Sequence, residues 1–377
     1  MICPKDHKIK ILMVLGNAGR GGAQAYVMNI LRNIDLTRFE IDFLVNRRTK
    51  DGYEAEIEAL GSRIYVTPAF KGINLFSYIA HINEILQQGK YDIVHGHASS
   101  SAALYLRAAK KHGCATIAHS HSAGYRGNAV EQIVKRFFTI GVKSQGDYWF
   151  GCSALAAKRL FGRNYAKNKK YHHIPNAITA QKYQYDEGVR QRIRSELGIG
   201  EGEILYGHVG TFSVPKNHSF LMEVFHKLQE KQGEKAHLVL LGEGALKETV
   251  QQDVVSRGMD KQVTFTGNVS NVGEYLMAMD VLIFPSLFEG LPLTLLEAQA
   301  AGLPCVISDT ITDEVYLTDL IKVVSLAKSA EEWAQIAEGA RANDRQAYNQ
   351  QVAETRFNMS NSIHELMALY EGMAQDQ

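Results

Sequence analysis

Two glutamates in the last third of the chain, Glu289 and Glu297, are placed to bind a ligand rich in hydroxyl groups. The apolar residues 281–284 predict a buried strand, and Pro292 has the position expected of a first helical residue. Glu289 lies just before that helix and Glu297 about one turn inside it, so the carboxylates can meet opposite ends of a ligand. Peptide N–H groups at a helix start also bind phosphate. The predicted seat consists of Gly290, Leu291, Pro292, Leu293 and Thr294. The alternative is two solvated glutamates at a helix edge.

A second candidate loop, residues 209–218, follows an earlier predicted strand of the same half. Lys216 enters the next predicted helix, where its ammonium can neutralise a diphosphate leaving group. The loop resembles a P-loop only in part, because Pro215 replaces the second glycine and Asn217 the magnesium-binding hydroxyl. An NTPase is therefore disfavoured. The alternative for Lys216 is a solvated surface lysine.

A glycine-rich loop, residues 16–22, links the first predicted strand to an amphipathic helix, where a Rossmann sheet meets phosphates. It is not a dinucleotide fingerprint, because Gln24 replaces the third glycine and the second strand ends at Asn46 without an acidic residue. A nicotinamide enzyme is therefore disfavoured. The alternative is a turn without a ligand. The candidate residues of this loop are Gly16, Arg20, Gly21 and Gly22.

Four histidines close two neighbouring strands: His95 and His97 end the fourth strand, and His119 and His121 end the fifth. Carboxyl ends of parallel strands converge on the crevice where ligands bind. We disfavour a metal site, because no carboxylate or cysteine accompanies the histidines at ligand spacing, and we expect their side chains to share a face only by chance of local twist. The alternative is hydrogen-bonded supporting residues.

Composition excludes several classes of protein. A length of 377 residues suits two domains, and a net charge of +1 predicts no general attraction to nucleic acid. The cysteines are far apart, which predicts neither a zinc site nor a disulfide framework and fits a reducing cytoplasm. Residues 11–15 are interpreted as a first strand and not a signal peptide, and no apolar run is long enough to span a membrane.

Apolar runs alternate with helical spacing through both halves of the chain, which predicts two doubly wound parallel sheets of the α/β class. The polar residues 180–203 are the predicted junction, and the chain beyond residue 330 is predicted to be helical. The predicted strands of the first half are 9–16, 39–46, 63–68, 92–97, 115–120, 148–153 and 171–175. Those of the second half are 204–210, 237–242, 263–267, 281–284, 304–308 and 321–325.

Taken in order, these motifs resemble the family 4 glycosyltransferases, whose Glu-x7-Glu signature is matched by Glu289 and Glu297. The resemblance implies the GT-B fold, with two Rossmann-like domains facing across a cleft, and retaining transfer from a nucleotide sugar. It also implies an N-terminal acceptor-side domain, 1–180, a nucleotide-sugar domain, 181–355, and a C-terminal helix, 356–377, packed back on the first. The other matching residues are His97, His121, Pro175, Asn176, Gly210, Lys216, Gly242, Gly267 and Asn268.

The resemblance also implies roles. Glu297 would accept hydrogen bonds from the ribose, Glu289 would face the donor sugar, and Lys216 would stabilise the departing diphosphate. His121, with His119 as its rival, would lie under the donor sugar. Thr211 stands where the family usually has an arginine, and Arg20 or Arg126 would supply the missing phosphate contact. The expected donor is a UDP-sugar, and neither a metal nor another cofactor is required.

The acceptor is expected to be a saccharide or a lipid-linked saccharide of capsule, exopolysaccharide or O-antigen assembly. Residues 137–142 and the basic residues 158–170, with Phe161 and Tyr165, are candidates for a patch that touches anionic lipid at the inner face of the plasma membrane. The alternative for this stretch is a solvated face. Two other functions stay open: a UDP-sugar 2-epimerase or another GT-B nucleotide-sugar enzyme, and a non-catalytic nucleotide-sugar binding protein.

Overall fold

The chain forms two compact units in the computed structural model, which describes residues 8–98, 101–121, 141–342 and 344–376. The first unit comprises Met1–Asn176 and Met359–Gln377, and the second Ala177–Asn358. The predicted junction, residues 180–203, lies within the second unit. It is held there by Arg190 and Arg194, which both pair with Asp280.

The first unit is built on a parallel sheet of seven strands, in the order β3-β2-β1-β4-β5-β6-β7. All seven predicted strands are confirmed. The apolar runs of the inner strands are covered on both faces of the sheet, whereas the two edge strands are only partly buried. The strands are β1 (Ile9–Val14), β2 (Phe39–Val45), β3 (Ile64–Val66), β4 (Ile93–Gly96), β5 (Ala115–Ser120), β6 (Tyr148–Gly151) and β7 (Tyr171–His173). The described helices are α1 (Gly22–Asn33), α2 (Glu54–Ala59), α3 (Leu75–Gly89), α4 (Ala102–Lys111), α5 (Val142–Gln145), α6 (Ala154–Phe161) and, from the end of the chain, α14 (Met359–Gln375).

The second unit is built on a parallel sheet of six strands, in the order β10-β9-β8-β11-β12-β13. All six predicted strands are confirmed. They are β8 (Ile204–Val209), β9 (Ala236–Leu241), β10 (Val263–Gly267), β11 (Val281–Phe284), β12 (Cys305–Ser308) and β13 (Ile321–Val324). The described α-helices are α7 (Glu187–Glu196), α8 (His218–Gln232), α9 (Lys247–Ser256), α10 (Val272–Ala278), α11 (Leu293–Ala300), α12 (Ala330–Gly339) and α13 (Ala347–Ala353).

The C-terminal helix α14 packs against α1, β1 and β4 of the first unit. Tyr370 is its deepest anchor, with no exposed surface, and its ring meets Phe39 at a centroid distance of 6.1 Å. The last helix is therefore part of the first unit although the second unit precedes it in the chain. Among the described helices, none combines the length and the apolar character needed to cross a bilayer.

Two aromatic residues of the predicted lipid-binding patch, Phe161 and Tyr165, pack against other rings of the first unit. Phe161 is only 3% exposed, and its ring stacks on Trp149 with centroids 4.9 Å apart. Tyr165 packs edge-on against Tyr171 at 4.7 Å. The prediction for Phe161 was wrong, because its ring fills the space between α6 and the sheet. Tyr165 is half-buried, and the exposed residues of the stretch include Lys158, Arg163 and Lys167. Residues 137–140 lie outside the described residues.

Candidate functional site

The carboxyl edge of the second sheet brings the strongest candidate residues together. β8 and β11 are neighbours in the sheet, and the strand order reverses between them, since β9 and β10 continue on one side and β12 and β13 on the other. Ligands of open α/β sheets bind at such a switch point. The loop after β8 carries Lys216 and the loop after β11 carries Glu289, so residues 73 positions apart become neighbours.

Lys216 and Glu289 form an ion pair at this switch point. The Lys216 Nζ lies 2.8 Å from Glu289 Oε1, and the two side chains are 18% and 13% exposed. The ammonium also lies 4.5 Å from the centroid of the Phe284 ring. The predicted roles placed these side chains on different parts of a ligand, and the structure adds that they contact each other.

The two loops are fastened to each other by one backbone hydrogen bond and one from the side chain of Asn217. The Leu287 N–H donates to the carbonyl of Pro215 at 2.7 Å, and the Asn217 amide donates to the carbonyl of Pro285 at 3.1 Å. Asn217 holds a left-handed conformation with φ of 56° where α8 begins, which asparagine tolerates better than most residues. Lys216 is thus positioned by a fixed turn.

Glu297 lies on α11 and is partly buried. The Tyr183 hydroxyl donates to Glu297 Oε1 at 2.8 Å. Burial raises the pKa of the Glu297 carboxyl, and the bond from Tyr183 acts in the opposite direction. Sequence reasoning missed Tyr183, since no local signal connects residues so far apart. The remaining carboxylate oxygen has acceptor capacity for a ligand hydroxyl.

The start of α11 differs by one residue from the prediction. The helix begins at Leu293, and Pro292 is the cap residue before it. No side chain caps the first turn, so the N–H groups of Leu293 and Thr294 are not engaged by a cap. The ligand seat at residues 290–294 stays a prediction, and its uncapped N–H donors lie at its C-terminal end.

Backbone turns complete this edge. Gly210 donates its N–H to Leu241, and Gly242 donates to Gly267, both at 2.9 Å. A Cβ at Gly242, where φ is 137°, would lie 2.2 Å from the carbonyl oxygen of Gly210, so these two loops pack backbone to backbone. Gly267, which also has a positive φ, and the exposed Asn268 end β10 at the same edge.

Several buried polar atoms at this edge have no hydrogen-bond partner among the described residues. They include His208 Nε2, both ring nitrogens of His218, and Ser286 Oγ, while Glu289 Oε1 has only its ion-pair contact. Burial lowers the pKa of His218 to about 4, and the pKa of His208 is also lowered by burial, so both rings are neutral beside Lys216. Unpaired buried polar atoms are rare, and their concentration here marks a place suited to a polar ligand.

A cavity of about 870 Å³ in the second unit lies at the opposite, amino edge of the sheet. Its arginines are already engaged in the fold. Arg190 and Arg194 pair with Asp280, and Arg345 donates to four backbone carbonyls while stacking on the Tyr185 ring at 4.4 Å. The carboxyl edge is therefore the better candidate for a ligand site than this cavity.

In the first unit, the glycine-rich loop follows β1. The strand order of this sheet reverses between β1 and β4, so the loop lies at a switch point. Gly21 is the cap residue of α1, which begins at Gly22. Gln24, which removes the dinucleotide fingerprint, donates its amide to the carbonyl of Asn17 at 3.2 Å and so braces the loop. Arg20 donates to the carbonyl of Asp51 at 3.2 Å within this unit. Gly16 lies at the start of the loop, and Arg126 lies outside the described residues.

The four histidines form one buried cluster, which corrects the expectation that a shared face would arise only by chance. Alternation places residues i and i+2 on one face, and His95 lies beside Ile117 in the parallel register, so the next pair along is His97 and His119. The face they share is covered by Tyr26 of α1 and Tyr370 of α14.

Hydrogen bonds divide the cluster into two chains. His95 bonds Tyr370 through Nδ1 at 2.7 Å and His119 through Nε2 at 3.0 Å. His97 Nδ1 bonds His121 Nε2 at 2.7 Å. Burial lowers the pKa of all four rings, that of His121 to about 3, so they are neutral near pH 7.

The same cluster bears on the predictions for a metal and for the active-site histidine. Ring nitrogens of His95, His97 and His119 lie within 4.8 Å of one another, which is close enough for a shared metal ion, although these rings already bond within the cluster. Each of His119 and His121 has one ring nitrogen without a hydrogen-bond partner among the described residues, but His119 is 2% exposed, whereas His121 is only partly buried at the rim. His121 is therefore the better placed of the two for a ligand.

Comparison with known proteins covers both halves of the chain. The model of "Glycosyltransferase Family 4" matches residues 20–182, and that of "Glycosyl transferases group 1" matches residues 189–350. EpsF of Bacillus subtilis (strain 168), whose name assigns it to the glycosyltransferases, is 29% identical over 369 residues, 96% of each chain. UDP-Gal:alpha-D-GlcNAc-diphosphoundecaprenol alpha-1,3-galactosyltransferase of Escherichia coli is 26% identical over 239 residues, 60% of each chain.

Among solved structures, the chain resembles Anabaena Alr3699/HepE in complex with UDP. The TM-score is 0.77 at 15% identity, and the match covers 97% of this chain and 100% of the other. This likeness concerns the fold, and it agrees with the two parallel Rossmann-like sheets described above. The two family models together account for most of the chain, in the order expected of a two-domain transferase. The chain therefore belongs to the family 4 glycosyltransferases and has the GT-B fold.

Proposed function

We propose that this glycosyltransferase moves a sugar from a UDP-sugar to a saccharide or lipid-linked saccharide, with retention at the anomeric carbon, in cell-surface polysaccharide synthesis. The observation that carries the donor assignment is the Lys216–Glu289 pair at the β8/β11 switch point, surrounded by buried polar atoms without partners. The UDP bound by a protein of the same fold supports the choice of nucleotide.

In this proposal the donor lies across the start of α11. The diphosphate is held by Lys216 and by the uncapped N–H groups of Leu293 and Thr294, because a helix start and an ammonium both favour negative charge. Glu297, oriented by the Tyr183 hydroxyl, accepts hydrogen bonds from the ribose. Glu289 exchanges its contact with Lys216 for hydroxyls of the donor sugar.

The reaction proposed for this arrangement breaks the bond between the anomeric carbon and the diphosphate oxygen. The acceptor oxygen attacks from the face that the diphosphate leaves, the transition state is oxocarbenium-like, and a diphosphate oxygen takes the acceptor proton. The departing charge is largest in the transition state, so Lys216 contributes most there. His121 of the first unit is proposed to bond a hydroxyl of the donor sugar or the acceptor.

The proposed donor chemistry assigns the neutralisation of the diphosphate to Lys216 and the helix N–H groups, and therefore requires no metal ion. The expected result is transfer that EDTA leaves unchanged. Loss of transfer in EDTA, restored by a divalent cation, would contradict this part of the proposal.

The acceptor is proposed to be lipid-linked, because the Escherichia coli relative is named for a diphosphoundecaprenol acceptor. Peripheral contact with the inner face of the plasma membrane follows if the acceptor resides in the bilayer. The assignment of the donor does not depend on the identity of the acceptor.

The proposed function is tested in two steps. A thermal-shift screen against UDP-, GDP- and ADP-sugars should raise the melting temperature with the UDP compounds, because a ligand that binds the folded state stabilises it by mass action. Incubation of the best donor with and without a diphosphoundecaprenol-linked saccharide should give product only with the acceptor. Conversion of the donor to its 2-epimer without acceptor would instead identify an epimerase, and binding without any turnover would indicate a non-catalytic binding protein.

A further inference from the structure

Two apolar side chains project from the first unit with almost no protein around them. Ile73 is 95% exposed and Phe76 is 89% exposed, whereas the next most exposed large apolar side chain of the described residues, Val214, is 67% exposed. Single exposed apolar residues are ordinary, but two bulky ones within four positions form a local patch that a soluble surface normally avoids.

Phe76 lies in the first turn of α3. Ile73 lies in the loop before it, which is a fixed turn. It connects β3 to α3, and its backbone is held because the Lys71 N–H donates to Asn74 Oδ1 at 2.7 Å and the Asn74 amide donates to the carbonyl of Ala69 at 3.0 Å. Phe70 anchors the turn by packing against Tyr78 at a centroid distance of 5.7 Å. The turn therefore directs Ile73 and Phe76 outward while neighbouring apolar residues are held inside.

The charge close to the patch is mainly basic. Residues 67–83 contain Lys71 and His81 and no aspartate or glutamate. The adjacent loop, residues 46–53, follows β2, which pairs with β3 in parallel, so both loops leave the sheet at the same edge. That loop exposes Arg47, Arg48, Lys50 and the acid Asp51. Arg48 pairs with Glu58 at 2.9 Å, so Arg47 and Lys50 are the basic groups offered to a lipid surface. Basic groups beside bulky apolar side chains are the composition that anionic lipid surfaces bind.

The position of the patch connects it with the chemistry of the first unit. The turn before α3 lies at the carboxyl edge of the first sheet, the edge that also carries the glycine-rich loop after β1 and the histidines that close β4 and β5. A bilayer that met the patch would therefore face the edge where a lipid-linked acceptor is expected.

We propose that Ile73 and Phe76, together with the basic loop at residues 46–53, dock the first unit on the surface of an anionic lipid bilayer. The inference rests on the proposed function, because a lipid-linked acceptor gives the docked enzyme its substrate. The apolar side chains enter the boundary between headgroups and acyl chains, and the basic residues contact lipid phosphates.

The test is co-sedimentation of the full chain with phosphatidylcholine vesicles that contain or lack phosphatidylglycerol. The wild-type protein should sediment with the anionic vesicles at low salt and less at high salt, because salt screens the basic loop. The variant Ile73→Ser/Phe76→Ser should lose about tenfold or more in partitioning. Arg47→Gln should lose about fivefold, the effect of one basic residue near a lipid surface.

A matched control is Val255→Ser, which removes a 65% exposed apolar side chain from α9 of the second unit and should bind vesicles like the wild type. The inference is overturned if the wild-type protein sediments equally with both kinds of vesicle, or if the double variant binds like the wild type. It is also overturned if light scattering shows a dimer that the double variant abolishes while no vesicle binds, since the patch would then bind a second copy.

The measurement separates this inference from the proposed function. Stabilisation by UDP reports on the second unit and should be the same in wild type and Ile73→Ser/Phe76→Ser. UDP stabilisation without vesicle binding would refute the docking surface alone. Vesicle binding without stabilisation by any nucleotide sugar would refute the donor assignment and support the surface.

Discussion

Replacing Lys216 by methionine removes one charge at the proposed donor site and preserves most of the side chain. The methionine stem can still pack on Phe284, whose ring centroid lies 4.5 Å from the ammonium. A hydrogen bond to a charged group contributes about 1.5–3 kcal/mol, so UDP should bind about 10- to 150-fold more weakly.

The upper end of that range is expected, because Glu289 loses its partner. Its carboxylate is 13% exposed and lies 2.8 Å from the ammonium in the wild-type protein, so in the variant it would face the diphosphate with like charge and little screening. Loss of this largely buried pair should also lower the free energy of unfolding, by about 1–3 kcal/mol. Adding Glu289→Gln should restore much of the stability and only part of the UDP affinity.

The assay is isothermal titration calorimetry with UDP and with uridine. Uridine has no phosphate, so its affinity should be the same in the wild type and Lys216→Met. The control variant is Lys231→Met, which breaks the exposed pair with Glu331, 2.6 Å apart, at the other end of α8. The reasoning is refuted if Lys216→Met binds UDP within about twofold of the wild type, or if it loses UDP and uridine affinity equally.

Three further predictions follow from the other contacts. Burial holds the imidazoles of His95, His97, His119 and His121 neutral, with folded pKa values below the unfolded value of about 6.5. Their contribution to stability is therefore complete above that pH and falls as the pH drops, by about 1.4 kcal/mol per pH unit for each ring. A free energy of urea unfolding that is unchanged between about pH 7.5 and 5.5 would contradict this prediction. Tyr183→Phe should raise the pKa of Glu297 further, so that UDP affinity falls with acidification from a higher pH than in the wild type; Tyr185→Phe, at a partly buried tyrosine bonded to Glu187, should show no such change. His121→Ala and Glu289→Ala should each abolish transfer and leave UDP binding within about tenfold, measured by product formation and calorimetry; transfer at the wild-type rate would contradict the catalytic roles.

Local patterns in the sequence were sufficient for the elements of the fold. β11 is a continuous apolar run, and β1 is one from Ile11 onward, because both faces of a parallel sheet are covered. The helix α1 repeats apolar residues at helical spacing. The carboxyl-edge placement of Lys216 and Glu289 followed from the same patterns, since each lies in a loop directly after a predicted strand.

Contacts between distant residues could not be predicted in this way. Tyr183 lies 114 positions before Glu297, and His95 lies 275 positions before Tyr370, so no local spacing signals either bond. The pairing of Lys216 with Glu289 depends on β8 and β11 being neighbours, which only the strand order reveals. The apolar turn at Ile73 and Phe76 was not recognised either, because the sequence shows hydrophobicity and not exposure.

The shared face of the histidine cluster was predictable and was missed. Residues i and i+2 of a strand point the same way, and neighbouring parallel strands align their carboxyl ends, so two His-x-His segments closing adjacent strands should meet. The expectation of chance twist gave too little importance to this alternation. Only the division into two hydrogen-bonded chains required the structure.

The central claim is that the nucleotide diphosphate is held at the carboxyl edge of the second sheet by the loops after β8 and β11. A crystal structure of the protein with UDP tests it most directly. The account predicts the diphosphate within hydrogen-bond reach of the Lys216 ammonium and the N–H groups that begin α11, with the ribose on Glu297. A diphosphate bound instead among Arg190, Arg194 and Arg345 at the amino edge would contradict it.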